Sequence, residues 1–154
     1  MKKKIVYVGL AADIVHEGHI NILKTAARLG YVIVGLLTDK AIASYKKLPY
    51  FEFNQRKIIL QNIKYVDQVV EQKTLDYVEN LKSFRPDYVV HGDDWKIGIQ
   101  KKTRQRVIKT LKLWGGKLVE PKYTKNISSS KIKNKISSFG VTPQNRVSKL
   151  RRLL

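Results

Sequence analysis

The sequence predicts an α/β fold: a doubly wound, five-stranded parallel sheet in the order 3-2-1-4-5, with helices on both faces. Short β-branched runs alternate with longer stretches of helical spacing along the whole chain, which makes βαβ units with right-handed crossovers. The strand-like runs are continuously apolar rather than alternating, as strands covered on both faces are. The length, 154 residues with 43% hydrophobic, fits one domain with a real core.

Each element has its own signal. Residues 3–11 (KKIVYVGLA) read as a buried parallel strand. Residues 19–30 (HINILKTAARLG) follow as a helix, with Ile20, Leu23 and Ala27 at helical spacing and Gly30 as C-cap. Residues 31–38 (YVIVGLLT) form a second buried strand. Residues 54–66 (NQRKIILQNIKYV) form a second long helix, with Ile58, Ile59, Ile63 and Val66 expected on its inner side. Residues 67–72 (DQVVEQ) are a short strand. Residues 74–84 (TLDYVENLKSF) are a helix ended by Pro86, because proline disfavours helix in the residue before it. Residues 87–92 (DYVVHG) are the fourth strand, 101–116 (KKTRQRVIKTLKLWGG) the third long helix and 116–121 (GKLVEP) the fifth strand. Residues 128–140 (SSSKIKNKISSFG) are a last helix.

Composition narrows the function. There is no cysteine, so neither a disulfide framework nor a cysteine-based zinc site. No apolar run approaches the ~20 residues that span a bilayer. The basic start is too soon interrupted by Asp13 to be a signal peptide, so a cytoplasmic protein with no membrane partner is expected. The net charge of +19, from 31 Lys plus Arg against 12 Asp plus Glu, suits nucleic acid or small anionic substrates. The motifs weigh against nucleic acid.

Two of the three histidines, His16 and His19, follow the first strand, and His91 ends the fourth. In a 3-2-1-4-5 sheet the switch point lies between those two strands, at their carboxyl ends, where such folds bind ligands. Asp13, Asp93 and Asp94 fall beside it. Zinc would need His91 and aspartates as further ligands to the His16–His19 pair. A phosphate site fits better. The pair starts a helix whose free N–H groups attract anions, and Gly18 lets a phosphate approach the backbone. Imidazoles there can donate to phosphate oxygens as charge builds.

These residues carry a resemblance. HEGH (16–19) is similar to the H-x-G-H signature of the nucleotidyltransferase superfamily, and NISSSKI (126–132) to its second signature, I-S-[ST]-[ST]-x-I. HGDDW (91–95) and QRKIILQNIKYVDQVV (55–70) resemble glycerol-3-phosphate cytidylyltransferase-like enzymes. Over residues 3–137 three motifs stand in order on the right elements. LLTDKAIASYKKLPY, TLDY, HGDDWKIGIQKKTRQRVI and TPQNRVSKLRRLL further resemble the cytidylyltransferase domain fused to phosphoenolpyruvate mutase in phosphonate biosynthesis.

The resemblance implies a Rossmann-like domain over 1–140, and a basic amphipathic tail or linker over 141–154 that packs on a fused or separate mutase or on a second copy in a homodimer. It implies an in-line displacement in which a phosphonate or phosphate oxygen attacks the α-phosphorus of CTP and pyrophosphate leaves. His16, His19, Lys47 and Ser129 would be catalytic. The nucleotide would also meet Leu10, Ala11, Asp13, Gly18, Lys46, His91, Asp93, Asp94, Ile127, Ser128 and Ser130. Mg2+ would bridge the phosphates, with Asp13 a candidate ligand. The expected acceptor is a small phosphonate, 2-aminoethylphosphonate or an analogue, met by Tyr50, Asp76, Tyr77 and Trp95. Phosphocholine and glycerol 3-phosphate are alternative acceptors, and an adenylyltransferase or a nucleic-acid-binding module the alternative classes. Three departures stand out. Tyr123, Lys125 and Asn126 replace arginine, glutamate and glycine before the serines. The loop lysines Lys46 and Lys47 are adjacent, so either could be the clamp. Ala11 stands where many relatives have threonine.

Overall fold

The computed structural model describes residues 2–140; the expected tail helix lies outside them. Five strands, β1 (Ile5–Leu10), β2 (Tyr31–Leu37), β3 (Gln68–Gln72), β4 (Tyr88–Val90) and β5 (Lys117–Val119), form one sheet in the order β3-β2-β1-β4-β5. Every pairing is parallel. Six α-helices accompany them among the described residues: α1 (Glu17–Leu29), α2 (Asp39–Ala43), α3 (Phe53–Gln61), α4 (Val78–Phe84), α5 (Lys101–Leu111) and α6 (Ser129–Ser137).

The period-2 alternation of a strand divides the core between the two sheet faces. Val6 and Val8 of β1, Val32, Val34 and Leu36 of β2 and Val90 of β4 pack with Leu23 and Ala26 of α1 and Leu60 of α3. The intervening Tyr7, Ile33 and Val89 pack on the opposite side with Leu81 of α4 and Val107 and Leu111 of α5. Both faces are thus covered, which is why the strands lack a polar side. At the end of α1, Gly30 N–H donates to the Ala26 carbonyl (3.3 Å), and a Cβ on Gly30 would overlap the Lys4 carbonyl. Glycine is required there by close approach of β1.

Two expectations need correction. The second long helix stops at Gln61, and residues 62–66 form turns, with Val66 N–H donating to the Ile63 carbonyl (2.9 Å). Its inner face is Arg56 and Leu60, not Ile58 and Ile59, which are 61% and 39% exposed. Phe53, Arg56, Leu60 and Ile63 are the inward series, and a buried arginine breaks its apolar pattern. The short α2, capped by the Thr38 hydroxyl accepting from Ala41 N–H (3.0 Å), was not expected. No helix among the described residues is long and apolar enough to cross a membrane.

Candidate active site

β1 and β4 lie side by side, and the chain leaves them toward opposite faces, β1 into α1 and β4 toward α5. A cavity of about 350 Å³ opens at their carboxyl ends. The end of β1 (Gly9, Leu10, Ala11) meets the start of α1 (His16, Gly18, His19) there. The start of α6 (Ser128, Ser129, Ser130), the loop after α2 (Tyr45, Lys46) and the exit of β4 (His91, Asp94) complete the wall.

The two histidines cap α1 reciprocally. Gly18 N–H donates to His16 Nδ1 (3.0 Å), and His16 N–H donates to His19 Nδ1 (3.1 Å), a capping box built from imidazoles. A nitrogen that accepts from an amide carries no hydrogen. In the neutral ring the hydrogen therefore sits on Nε2, at the edge away from the backbone. Burial holds the His16 pKa below its ordinary value, opposed by Glu17. Burial, with His16 and Lys46 nearby, pushes His19 down to about 3. Both rings are neutral donors near pH 7. Gly18 has a different reason from the one the sequence suggests: a Cβ there would lie 2.7 Å from His16 Cε1 and push the ring out of its cap.

His91 is the reverse case. Its ring stacks on Trp95 (centroids 3.7 Å apart, planes 7° from parallel), and its Nδ1 lies 2.8 Å from the Gly92 carbonyl. A carbonyl only accepts, so Nδ1 carries the hydrogen and Nε2 of the neutral ring is an acceptor. Burial lowers the His91 pKa, opposed by Gly92 and Asp94. Trp95 is 1% exposed and donates from Nε1 to Glu120 (2.8 Å), which Arg104 also grips (2.7 and 3.0 Å). Trp95 therefore stands behind His91 rather than on the cavity wall.

Of the adjacent lysines, Lys46 lines the cavity and Lys47 does not. Burial, reinforced by the nearby Lys133 charge and opposed by Asp13, lowers the Lys46 pKa. Tyr77 lines the wall, with its hydroxyl 3.4 Å from the Gly9 carbonyl; a side chain at Gly9 would overlap that phenol. Ser128 caps α6, accepting from Lys131 N–H (3.1 Å).

Several expected contacts are not brought to the cavity. Asp13 is buried, and its carboxylate accepts from Tyr50 N–H (2.9 and 3.0 Å) and Phe51 N–H (3.1 Å) and pairs with Lys133 (2.5 Å). With both oxygens engaged it does not fit a magnesium ligand, and no group of three metal-binding side chains occurs among the described residues. Asp93 accepts from Tyr123 N–H (2.9 Å), the Ile127 carbonyl from the Tyr123 hydroxyl (3.0 Å), and the Tyr50 hydroxyl faces Ser137 (2.9 Å). Asp76 sits outside, accepting from Arg106 (2.8 Å) and Val78 N–H (3.2 Å). The cavity instead adds Tyr45, Gln100 and Thr124. Tyr45 lies next to the lysines, Gln100 within residues 91–108 and Thr124 just before the serines, so all three fall in or beside the stretches that carry the resemblance.

Arg56 explains its own burial. It donates to the carbonyls of Ala11 (2.6 Å), Leu37 (2.8 Å) and Phe51 (3.0 Å) and to Asp39 (2.6 Å). It stitches the ends of β1 and β2 to α2 and to the end of the lysine loop.

A parallel sheet of this order, with a cavity at the switch point rimmed by the starts of α1 and α6, defines a Rossmann-like domain with a cradle for anions. The chain belongs to the cytidylyltransferase-like family, whose model matches residues 7–135. It is 38% identical over 102 residues to a glycerol-3-phosphate cytidylyltransferase of Bacillus subtilis, covering 62% of this chain and 74% of that protein. It is 34% identical over 122 residues to a mouse ethanolamine-phosphate cytidylyltransferase, covering 78% of this chain and 29% of that protein. Among solved structures, a lipopolysaccharide core biosynthesis protein from Thermoplasma volcanium superposes with a TM-score of 0.67 at 23% identity, over 80% of this chain and all of that one. That likeness supports the fold alone.

Proposed function

We propose that this protein transfers the cytidylyl group of CTP to a small phosphate ester, with glycerol 3-phosphate and ethanolamine phosphate as the leading acceptors. A phosphate oxygen of the acceptor forms a bond to the α-phosphorus of CTP. The bond from that phosphorus to the bridging oxygen breaks, and pyrophosphate leaves with the electron pair. No side chain becomes a nucleophile, so the work is positioning and charge stabilisation.

The reciprocal histidine cap carries the proposal. It fixes two Nε2–H donors beside the Lys46 ammonium and the start of α6, a set suited to triphosphate oxygens that gain charge in the transition state. Ser128, Ser129 and Ser130 add hydroxyls and amides from the facing wall. Mg2+ is expected to enter with the triphosphate, with Asp13 not among its ligands. The His91 Nε2 acceptor and Asp94, the one carboxylate lining the cavity among the described residues, suit hydrogen-bond donors on the base, the ribose or an ammonium-bearing acceptor.

The sequence placed a phosphonate first. The relatives favour the phosphate-ester alternative, because they are glycerol-3-phosphate and ethanolamine-phosphate enzymes. The resemblance of residues 91–108 to phosphonate fusions keeps 2-aminoethylphosphonate as the second reading. The test is pyrophosphate release with Mg2+, four nucleoside triphosphates and four acceptors: glycerol 3-phosphate, ethanolamine phosphate, phosphocholine and 2-aminoethylphosphonate. CTP-dependent turnover of a phosphate ester is expected. ATP preference, or no turnover of any acceptor, overturns the proposal, and preference for the phosphonate reinstates the second reading.

A further inference from the structure

Helix α6 brings serines to the cavity, and among the described residues it buries no side chain completely. None of its residues is buried, and neither Ile132 nor Ile136 joins the core clusters. Among the described residues the apolar anchor of this short helix is limited to the half-buried Ile132 and Ile136, and polar contacts add to it.

They lie along one stripe. Ser129, Lys133 and Ser137 are spaced by four residues and share a helix face. Ser129 meets the cavity, Lys133 pairs with buried Asp13 (2.5 Å), and the Ser137 hydroxyl lies 2.9 Å from the Tyr50 hydroxyl. The Lys133 ammonium also sits 5.6 Å from the centre of the Tyr50 ring. The Lys133 side chain is 12% exposed and Asp13 wholly buried, so water competes little for the pair.

The same carboxylate organises two further segments. Its bonds to the Tyr50 and Phe51 amides close the loop that carries Lys46. Asp13 also stands between Ala12 (φ 51°) and Ile14 (φ 60°) on the path from β1 to His16. A β-branched residue rarely adopts a positive φ, and such conformations persist only where their surroundings over-determine them. Asp13 supplies that constraint. The histidine turn, the lysine loop and the serine helix thus meet at one carboxylate behind the cavity wall.

We propose that Lys133, paired with Asp13, is a positioning residue that docks α6 on the cavity and sets its serines against the triphosphate. The proposal rests on reading the cavity as a CTP site. It assigns Lys133 no contact with substrate: removing its charge loosens α6 and weakens the grip on CTP while the acceptor is still recognised.

The test uses Lys133→Met, which keeps most of the stem, and Lys133→Arg, which keeps the charge. In Lys133→Met, hydrogen exchange of the α6 amides in the nucleotide-free protein should quicken, and KM and Kd for CTP should rise about tenfold while acceptor KM changes less than about threefold. Lys133→Arg should recover most of the CTP affinity. Unchanged α6 exchange, or a lower Tm with CTP affinity within about twofold of wild type, overturns the proposal. If Lys133→Met does not fold, Tyr50→Phe removes the second tie without unpairing a buried charge. Faster α6 exchange with weaker CTP binding then supports the proposal, and neither change overturns it. Should the wild-type protein fail to bind CTP, the functional reading fails, while α6 exchange still decides whether Lys133 pins the helix.

Discussion

Replacing His16 by asparagine, and separately by alanine, divides the two tasks of the ring. His16 Nδ1 accepts from Gly18 N–H (3.0 Å), and its Nε2–H is the donor turned to the cavity side. Asparagine carries its amide oxygen roughly where Nδ1 lies and is a favoured N-cap. It has no donor at the Nε2 position. His16→Ala loses both functions. Loss of a cap costs about 1 kcal/mol, which in a chain of this size lowers Tm by about 2–4 °C. Loss of one transition-state donor costs about 10²–10³ in kcat. The expected pattern is therefore asymmetric: His16→Asn keeps its Tm within about 1 °C and loses turnover by about 10² or more, whereas His16→Ala loses both. Thermal unfolding and CTP-dependent pyrophosphate release measure the two quantities. An asparagine variant with near-wild-type turnover would refute the donor role, and an alanine variant with unchanged Tm would refute the cap.

Three further outcomes are expected. The pKa of His19 falls from 6.5 to about 3 on folding, and His16 and His91 shift the same way. Between these pH values the unfolded chain binds more protons than the folded one. For His19 the stabilisation is thus complete above about pH 6.5 and is lost as pH falls toward 3, by at most ~1.4 kcal/mol per pH unit, and His16 and His91 add to the loss in the same direction. Urea unfolding at pH 7.5 and pH 5 should show the loss, and His19→Gln, which keeps a capping-box partner, should flatten the dependence. Lys46→Met should raise KM for CTP about tenfold and Lys47→Met less than about twofold, since only Lys46 lines the cavity; steady-state kinetics reversing that order would move the clamp to Lys47. Arg56→Met should cost about 3–5 kcal/mol in denaturant unfolding, because it leaves three carbonyls and Asp39 without their donor.

The sheet was legible because parallel strands buried on both faces leave continuous apolar runs, and the alternation with helices permits few topologies. The order placed the switch point between β1 and β4, and with it His16, His19 and His91, before any contact was known. What the sequence concealed are polar groups whose partners are distant. Arginine is seldom fully buried, so nothing in the spacing marks Arg56 as inward, and Ile58 and Ile59 beside it were expected there. Its ligands are backbone carbonyls at Ala11, Leu37 and Phe51, and backbone groups carry no sequence signature. Asp13 read as a metal ligand because it neighbours the histidines; its actual partner, Lys133, lies on the last described helix. Asp76 and Trp95 were grouped with the acceptor by residue type, while Arg106 and Glu120, the side chains that engage them, sit on other elements.

The histidine pair shows why the motif needs its particular residue. Serine or aspartate at position 16 would satisfy the helix as well, but a capping serine holds its one O–H close to the backbone and an ionised aspartate has no donor at all. Imidazole has two nitrogens on opposite edges. When the helix amides occupy Nδ1 of both rings, the tautomer is set by the fold rather than by the ligand, and the two Nε2–H groups are aimed before any anion arrives. Burial keeps the rings neutral, so on the proposed reaction they would meet the triphosphate as uncharged donors. In the proposed transfer that stabilisation would be in place when charge develops, with no reorientation needed. Capping the helix and preparing the site are one act, performed by His16, Gly18 and His19 together.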